Sequence, residues 1–276
     1  MRKYLYILIL TITFNSCEDV IDVEVPIAPP RLVVEASLDW EKETSGNNQN
    51  IKLSLSSPYF SNTPNSAVSG AKVKVTNNND KTEVIFLDQG DGNYITTAFK
   101  PFLNQSYTLE IEYKNEIYLA TETLTPVTNI TNIYQSTENG FDDEAIEINI
   151  SFSDPKDEEN YYLTKFHDRK DLLAEFFPDS DEFTNGNEMT FFYEKIEDDK
   201  DKELRPGDIV DIHLYGISEQ YYNFISLLIA QSNDHGLFST TPANVKGNCI
   251  NITTKNNYAY GYFRLTQVDK HVYVVQ

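Results

Sequence analysis

Histidines, carboxylates and aromatic rings are the side chains here that could do chemistry, so their spacing comes first. His167, His213, His235 and His271 never stand four apart on a helical run, and no H-E-x-x-H occurs, so they spell no zinc signature. His213, between Ile212 and Leu214 on a strand-like run, could face a cavity; the simpler reading makes all four structural or exposed. No G-x-S-x-G elbow, phosphate loop or dinucleotide fingerprint is present. We therefore assign no catalytic residue, no metal ligand and no cofactor. "DQGDGN" (88–93) crowds oxygen donors as a calcium loop does. It lacks the EF-hand spacing and the bidentate Glu, and Gly90, Asp91, Gly92 and Asn93 fit a turn better. "PDSDEF" (178–183), with Asp179, Asp181 and Glu182, is a second cation candidate and reads more simply as a solvated loop. A carboxylate pair for glycoside hydrolysis cannot be picked from 43 acids, because separation in space decides that chemistry.

The rings come in adjacent groups: Tyr161-Tyr162, Phe176-Phe177, Phe191-Phe192-Tyr193 and the alternating Tyr258, Tyr260 and Tyr262. On a strand, neighbouring side chains point to opposite faces, so one ring of each pair faces the core and the other faces something else. Tyr162, Phe177, Phe192 and Tyr260 are our candidates for contact with a protein partner or a ligand such as a sugar. The competing reading is that a second sheet or the helix covers them.

Charge bounds the partners. Forty-three acids against 22 bases give −21, a surface that repels phosphate and excludes general nucleic-acid binding. It also disfavours docking on anionic lipid through a basic patch.

The N-terminus points to a different membrane attachment. Arg2 and Lys3 precede an apolar run from Tyr4 to Phe14, well short of the roughly 20 residues of a spanning helix. The run stops at "FNSC", where a small residue before a cysteine matches the processing site of a lipoprotein signal. Residues 1–16 are thus expected to be a signal peptide, and Cys17 to carry the lipid. The alternative is an ordinary secretory signal with a chance cysteine. Glu18, Asp19, Asp22 and Glu24 follow, resembling the acidic surface-export signal of Bacteroidota lipoproteins; a merely solvated tether is the other reading. Only Cys249 then remains, too few for an intrachain disulfide, and "GNCINI" suits a small buried hydrophobe.

The elements that must position these groups are mostly strands. Residues 17–30 read as a tether held extended by Pro26, Pro29 and Pro30. "RLVVEASLDW", "IKLSLSSPYF", "AKVKVTN", "TEVIFLDQ" and "SYTLEIEYKNEIYLATETL" alternate with period two between Gly, Asn and Asp turns. They predict an immunoglobulin-like β-sandwich over 31–125. "TPVTNITNIY" reads as a linker into a second, β-rich domain over 126–276. Within it "EAIEINISFSDP" alternates cleanly, 169–203 is irregular, and 219–232 predicts one packed helix capped by Ser218. The fold class is mainly β.

In this order "RLVVEASL", "SGAKVKVTNN", "GDGNYI", "SFSDPKDEENYYL", "TTPANVKGN" and "YGYFRL" resemble a Bacteroidota lipoprotein family, domain of unknown function four-two-four-nine. The resemblance implies an outer-membrane lipoprotein facing the cell exterior, often encoded beside TonB-dependent receptors, with no established activity or catalytic residue. The expectation is a non-enzymatic accessory or ligand-binding partner of a TonB-dependent transporter, attached to outer-membrane lipid through Cys17. A surface hydrolase using a carboxylate pair, or an adhesin, is the alternative.

Overall fold

A computed structural model describes residues 29–58, 66–140, 142, 144–156, 158–195, 203–232 and 245–276. Cys17, the tether as far as residue 28 and His235 lie outside the described residues.

Alternation becomes burial in the first strands. In β1 (Leu32–Glu41) Leu32, Val34, Ala36 and Leu38 point inward. In β2 (Gln49–Leu55) Ile51 and Leu53 do the same. Strands β3 (Ser66–Ala67), β4 (Lys72–Asn77), β5 (Glu83–Asp88), β6 (Asn93–Thr96), β7 (Ser106–Tyr113) and β8 (Glu116–Thr123) complete this half. The path β1-β2-β6-β5-β4-β7-β8 is continuous, and it folds over at β5. Thr76↔Glu83 to Val73↔Phe86 pair β4 with β5, whereas Leu87 and Asp88 pair with Ile95 and Tyr94 of β6. The two layers so formed share one core, with Val34, Leu53, Val73, Leu109, Ile111 and Phe263 among its residues.

Phe263 belongs to the last strand. β15 (Ile250–Asn251) pairs with β8, and the 15-residue β16 (Tyr260–Val274) lies parallel to β1 from Val33↔Tyr260 to Glu41↔Val268. Beyond Val268 the same strand turns its edge to β14 (Ile209–Ile217), antiparallel from Tyr215↔Val268 to Ile209↔Val274. One strand is therefore an integral part of both halves, a return that a division at residues 125 and 126 leaves out. Nothing local to "YGYFRLTQVDKHVYVV" reveals it, because a strand's partners are set by tertiary packing.

In the second half β9 (Ile130–Ser136), β10 (Glu147–Ser153) and β13 (Glu188–Glu194) form a small sheet in the order β13-β10-β9. It packs on β11 (Tyr161–Asp168) and β14 through Ile148, Ile150, Phe152, Phe166, Ile212 and Leu214. The stretch read as a linker thus runs into β9, and its first residues run along β16: Gln267 N–H donates to Thr125 O (2.9 Å) and Ile130 N–H to Asp269 Oδ2 (2.8 Å). The irregular stretch also holds β12 (Glu175–Ser180). Pro178 hides it from a sequence pattern, but β12 ends the large sheet, and an edge strand tolerates the missing N–H.

The helix α1 (Glu219–Ser232) starts where Ser218 predicts. Tyr221 N–H donates to Ser218 Oγ (3.2 Å). Tyr221 buries against Tyr262 and, with Phe224, docks the helix on β16. Among the described residues no helix is long and apolar enough to cross a membrane.

Candidate functional site

Two surfaces gather groups able to bind something. The first is the connection from β11 to β12. Leu172 and Leu173 are 94% and 77% exposed, and Phe176 and Phe177 beyond them are 40% and 36% exposed. Its base is held firmly. Buried Asp168 accepts from Lys195 Nζ (3.0 Å) and from Lys170 N–H (3.0 Å), and Asp171 pairs with the same Lys195 at 2.8 Å. Phe177 leans edge-on against core Phe166 (6.0 Å), whereas Phe176 pairs with Lys165 on the outer face, its ring 5.9 Å from the ammonium. Sequence reasoning found Phe177 and missed Leu172 and Leu173. Their signal was a leucine pair inside a charged turn, "DRKDLLAE".

The second surface is an acidic cleft of about 470 Å³ between the start of β11, the end of β12 and the first turns of α1. Glu159, Asp181, Glu182 and Glu219 line it, with Tyr161, Tyr222 and no basic side chain. The tyrosine rings lie 5.2 Å apart. Burial, then Glu219, Glu159, Asp181 and Glu182 together, hold the Tyr161 hydroxyl above its usual range. Asp181 and Glu182 come from the "PDSDEF" segment; Glu159 and Glu219 join them only in three dimensions.

The other predicted residues fall apart from one another. Tyr162 is only 2% exposed. Its ring packs on Phe152 (4.8 Å) and its hydroxyl donates to Asp154 Oδ1 (2.5 Å), so a surface contact through Tyr162 is excluded. The pleat turned Tyr161 outward instead. Phe192 sits half-buried on β13 opposite Asn149, on the face away from Phe191 and Tyr193. Half-buried Tyr260 stands edge-on to Tyr258 at 5.5 Å, and Tyr258 lies 3.7 Å from the Arg31 guanidinium and 4.1 Å from the Lys246 ammonium.

The remaining candidates serve the fold. Asp88 Oδ1 accepts from Gly90 N–H (2.8 Å), Asp88 Oδ2 from Gly70 N–H (2.6 Å) and Asp91 Oδ1 from Asn93 N–H (3.0 Å). Gly90 and Gly92 take φ of +82° and +88°. These are the bonds of a turn. Burial pushes the Cys249 thiol up to about 12, which leaves almost no thiolate at neutral pH. His213 Nδ1 lies 2.9 Å from Tyr215 Oη, and burial followed by Lys165 and Lys270 holds its imidazole down to about 4. His167 contacts Asp171 O and His271 contacts Asp269.

A buried polar junction joins the halves beneath the helix. Glu122 accepts from Ser218 Oγ (3.0 Å) and Tyr262 Oη (3.1 Å), and burial raises its carboxyl pKa. Arg264 pairs with Asp39 at 2.7 Å, its guanidinium 4.8 Å from the Tyr215 ring and 4.9 Å from that of Tyr221.

No curated protein matches this chain. Among solved structures, a cytokine receptor complex aligns at 8% identity over 67% of this chain and 82% of the other, with a TM-score of 0.25. A two-fibronectin-type-III segment of chicken tenascin aligns at 10% identity over 68% and 90%, TM-score 0.21. The FN1–FN3 domains of chicken CNTN1 align at 12% identity over 68% and 60%, TM-score 0.25. Likeness that slight says nothing of function. The family described as Domain of unknown function (DUF4249) matches residues 18–271, and the chain belongs to that family.

Proposed function

We propose that this protein is a lipoprotein of the bacterial outer membrane, anchored through Cys17 and facing the cell exterior. It acts without catalysis, as an accessory or ligand-binding partner of a TonB-dependent transporter. The observation that carries the partner-binding part is the exposed apolar tip at Leu172 and Leu173, with Phe176 on the outer face of β12 beyond it. Covering a large, fully exposed apolar side chain is worth about 1.5–3 kcal/mol, so the adjacent Leu172 and Leu173 favour a protein contact. The lipid would confine the chain to the transporter's own membrane and raise the effective concentration, so a modest contact area suffices. The acidic segment behind Cys17 supports export to the surface.

Co-purification from outer membrane in mild detergent tests this. The wild-type chain is expected to bring down a transporter. The Leu172→Asp/Leu173→Asp variant, equally folded and equally lipidated, is expected to lose it. An undiminished transporter yield with that variant, or an unacylated Cys17 in native mass spectrometry, would overturn the proposal.

A second reading, a surface hydrolase with a carboxylate pair, draws on the acidic cleft, because converging acids are what such chemistry needs. Glycan or peptide turnover that Asp181→Asn abolishes would favour it over the binding role.

A further inference from the structure

The acidic cleft carries an inference that stands apart from the membrane and its transporter. Asp181 lines it, yet only 2% of Asp181 meets solvent, and among the described residues its Oδ2 accepts no hydrogen bond. A buried carboxylate oxygen without a donor is costly, and a ligand that supplies an N–H removes the cost. Glu159, Glu182 and Glu219 add three more negative charges, and none of the four forms an ion pair among the described residues. Anions and phosphates are therefore repelled. A bare metal ion also fits poorly, since no group of three or more His, Cys, Asp or Glu among the described residues is close enough to hold one. The cleft is instead wide, and Tyr161 and Tyr222 give it an aromatic wall. Tyrosine faces suit an alkyl stem and attract a cation.

We infer that this cleft binds an organic cation, a primary ammonium or guanidinium on an alkyl stem, with Asp181 taking the N–H and the stem lying along the wall that Tyr161 and Tyr222 form together. That is the chemistry of a lysine or arginine side chain and equally of a free polyamine. The empty acceptor on Asp181 selects for a cation with N–H groups, so a quaternary ammonium binds less well. Glu219 supplies charge from the first turn of α1, where a carboxylate also offsets the positive end of the helix dipole.

Isothermal titration calorimetry on the purified full chain tests this with four probes: n-butylguanidinium, cadaverine, tetramethylammonium and a short arginine-containing peptide. The first two are expected to bind, more weakly as salt rises, with tetramethylammonium at least several-fold weaker. Peptide binding tighter than the free cations identifies a protein segment as the source; free-amine binding as tight as the peptide's identifies a small molecule. Losing one charged hydrogen bond predicts about 10- to 100-fold weaker binding for Asp181→Asn. Glu182→Gln/Glu219→Gln, on exposed carboxylates, is expected to weaken binding without touching the fold. No heat from any probe at millimolar concentration, binding indifferent to both variants, or calcium displacing the organic cation from the same site would each overturn the inference.

Discussion

At the scale of single residues, half-buried His213 and buried Glu122 and Arg264 set how the protein responds to pH and to substitution. His213 is held neutral, down to about 4 against an ordinary 6.5. Between those values the unfolded chain binds a proton at this position that the folded chain refuses, so acid favours unfolding. Stability from His213 is complete above about pH 6.5 and is lost as pH falls toward about 4. Glu122 acts in the opposite sense, because its raised carboxyl pKa makes the folded chain the better proton binder. Urea midpoints at pH 7 and pH 5 are expected to show the drop. His213→Gln should shrink it and Glu122→Gln should enlarge it; an unchanged difference in His213→Gln would remove His213 from the account. Arg264 offers the second case. Asp39→Asn strips a buried guanidinium of its counter-ion and is expected to cost about 3 kcal/mol, the low end for such pairs because Asp39 keeps some water. Arg264→Met keeps the packing against Tyr215 and Tyr221 and should cost clearly less in the same denaturation experiment.

At the scale of elements, the parallel pairing of β16 with β1 depends on one glycine. Gly261 takes φ +86°, and a Cβ there would sit 2.0 Å from Val34 O. The carbonyl belongs to the neighbouring strand's backbone and cannot step aside. Gly261→Ala is therefore expected to cost roughly 2–4 kcal/mol, read as a lowered urea midpoint. Gly70→Ala serves as the comparison, since it shares a positive φ (+79°) but meets nothing within 4 Å; it should cost only the backbone strain. Equal losses for the two would mean that the close approach to Val34 is not what matters. The same scale explains the apolar tip. Asp168, Asp171 and Lys195 fix the start of the connection from β11 to β12, so Leu172 and Leu173 stay out in water.

For the whole molecule, the shared strand makes the two halves one cooperative unit. β1 has β2 on one side and β16 on the other, and Phe263 and Leu265 of β16 lie in the first core. A fragment spanning residues 29–126 is expected to fail to unfold cooperatively, although it contains nearly all of the first sandwich. The full chain should show a single transition, by circular dichroism and by tyrosine fluorescence alike. A fragment that melts sharply by itself would show that β16 adds little to the first half.

Local pattern was enough for the elements built from local rules. Period-two alternation announced β1, β2, β4, β7, β8 and β10, because burial on one face of a pleat is written every second residue. Ser218 before an apolar run of helical period announced α1, and turn chemistry accounted for "DQGDGN". The tertiary structure decided everything that depends on parity or on distant partners. Tyr161 rather than Tyr162 faces outward because the core lies on the other side of β11, a fact the ring pair itself does not contain. Asp181 and Glu182 become a cleft only when Glu159 and Glu219 arrive from β11 and α1. β16 joins both halves because its two edges meet β1 and β14, and a strand carries no local mark of its neighbours.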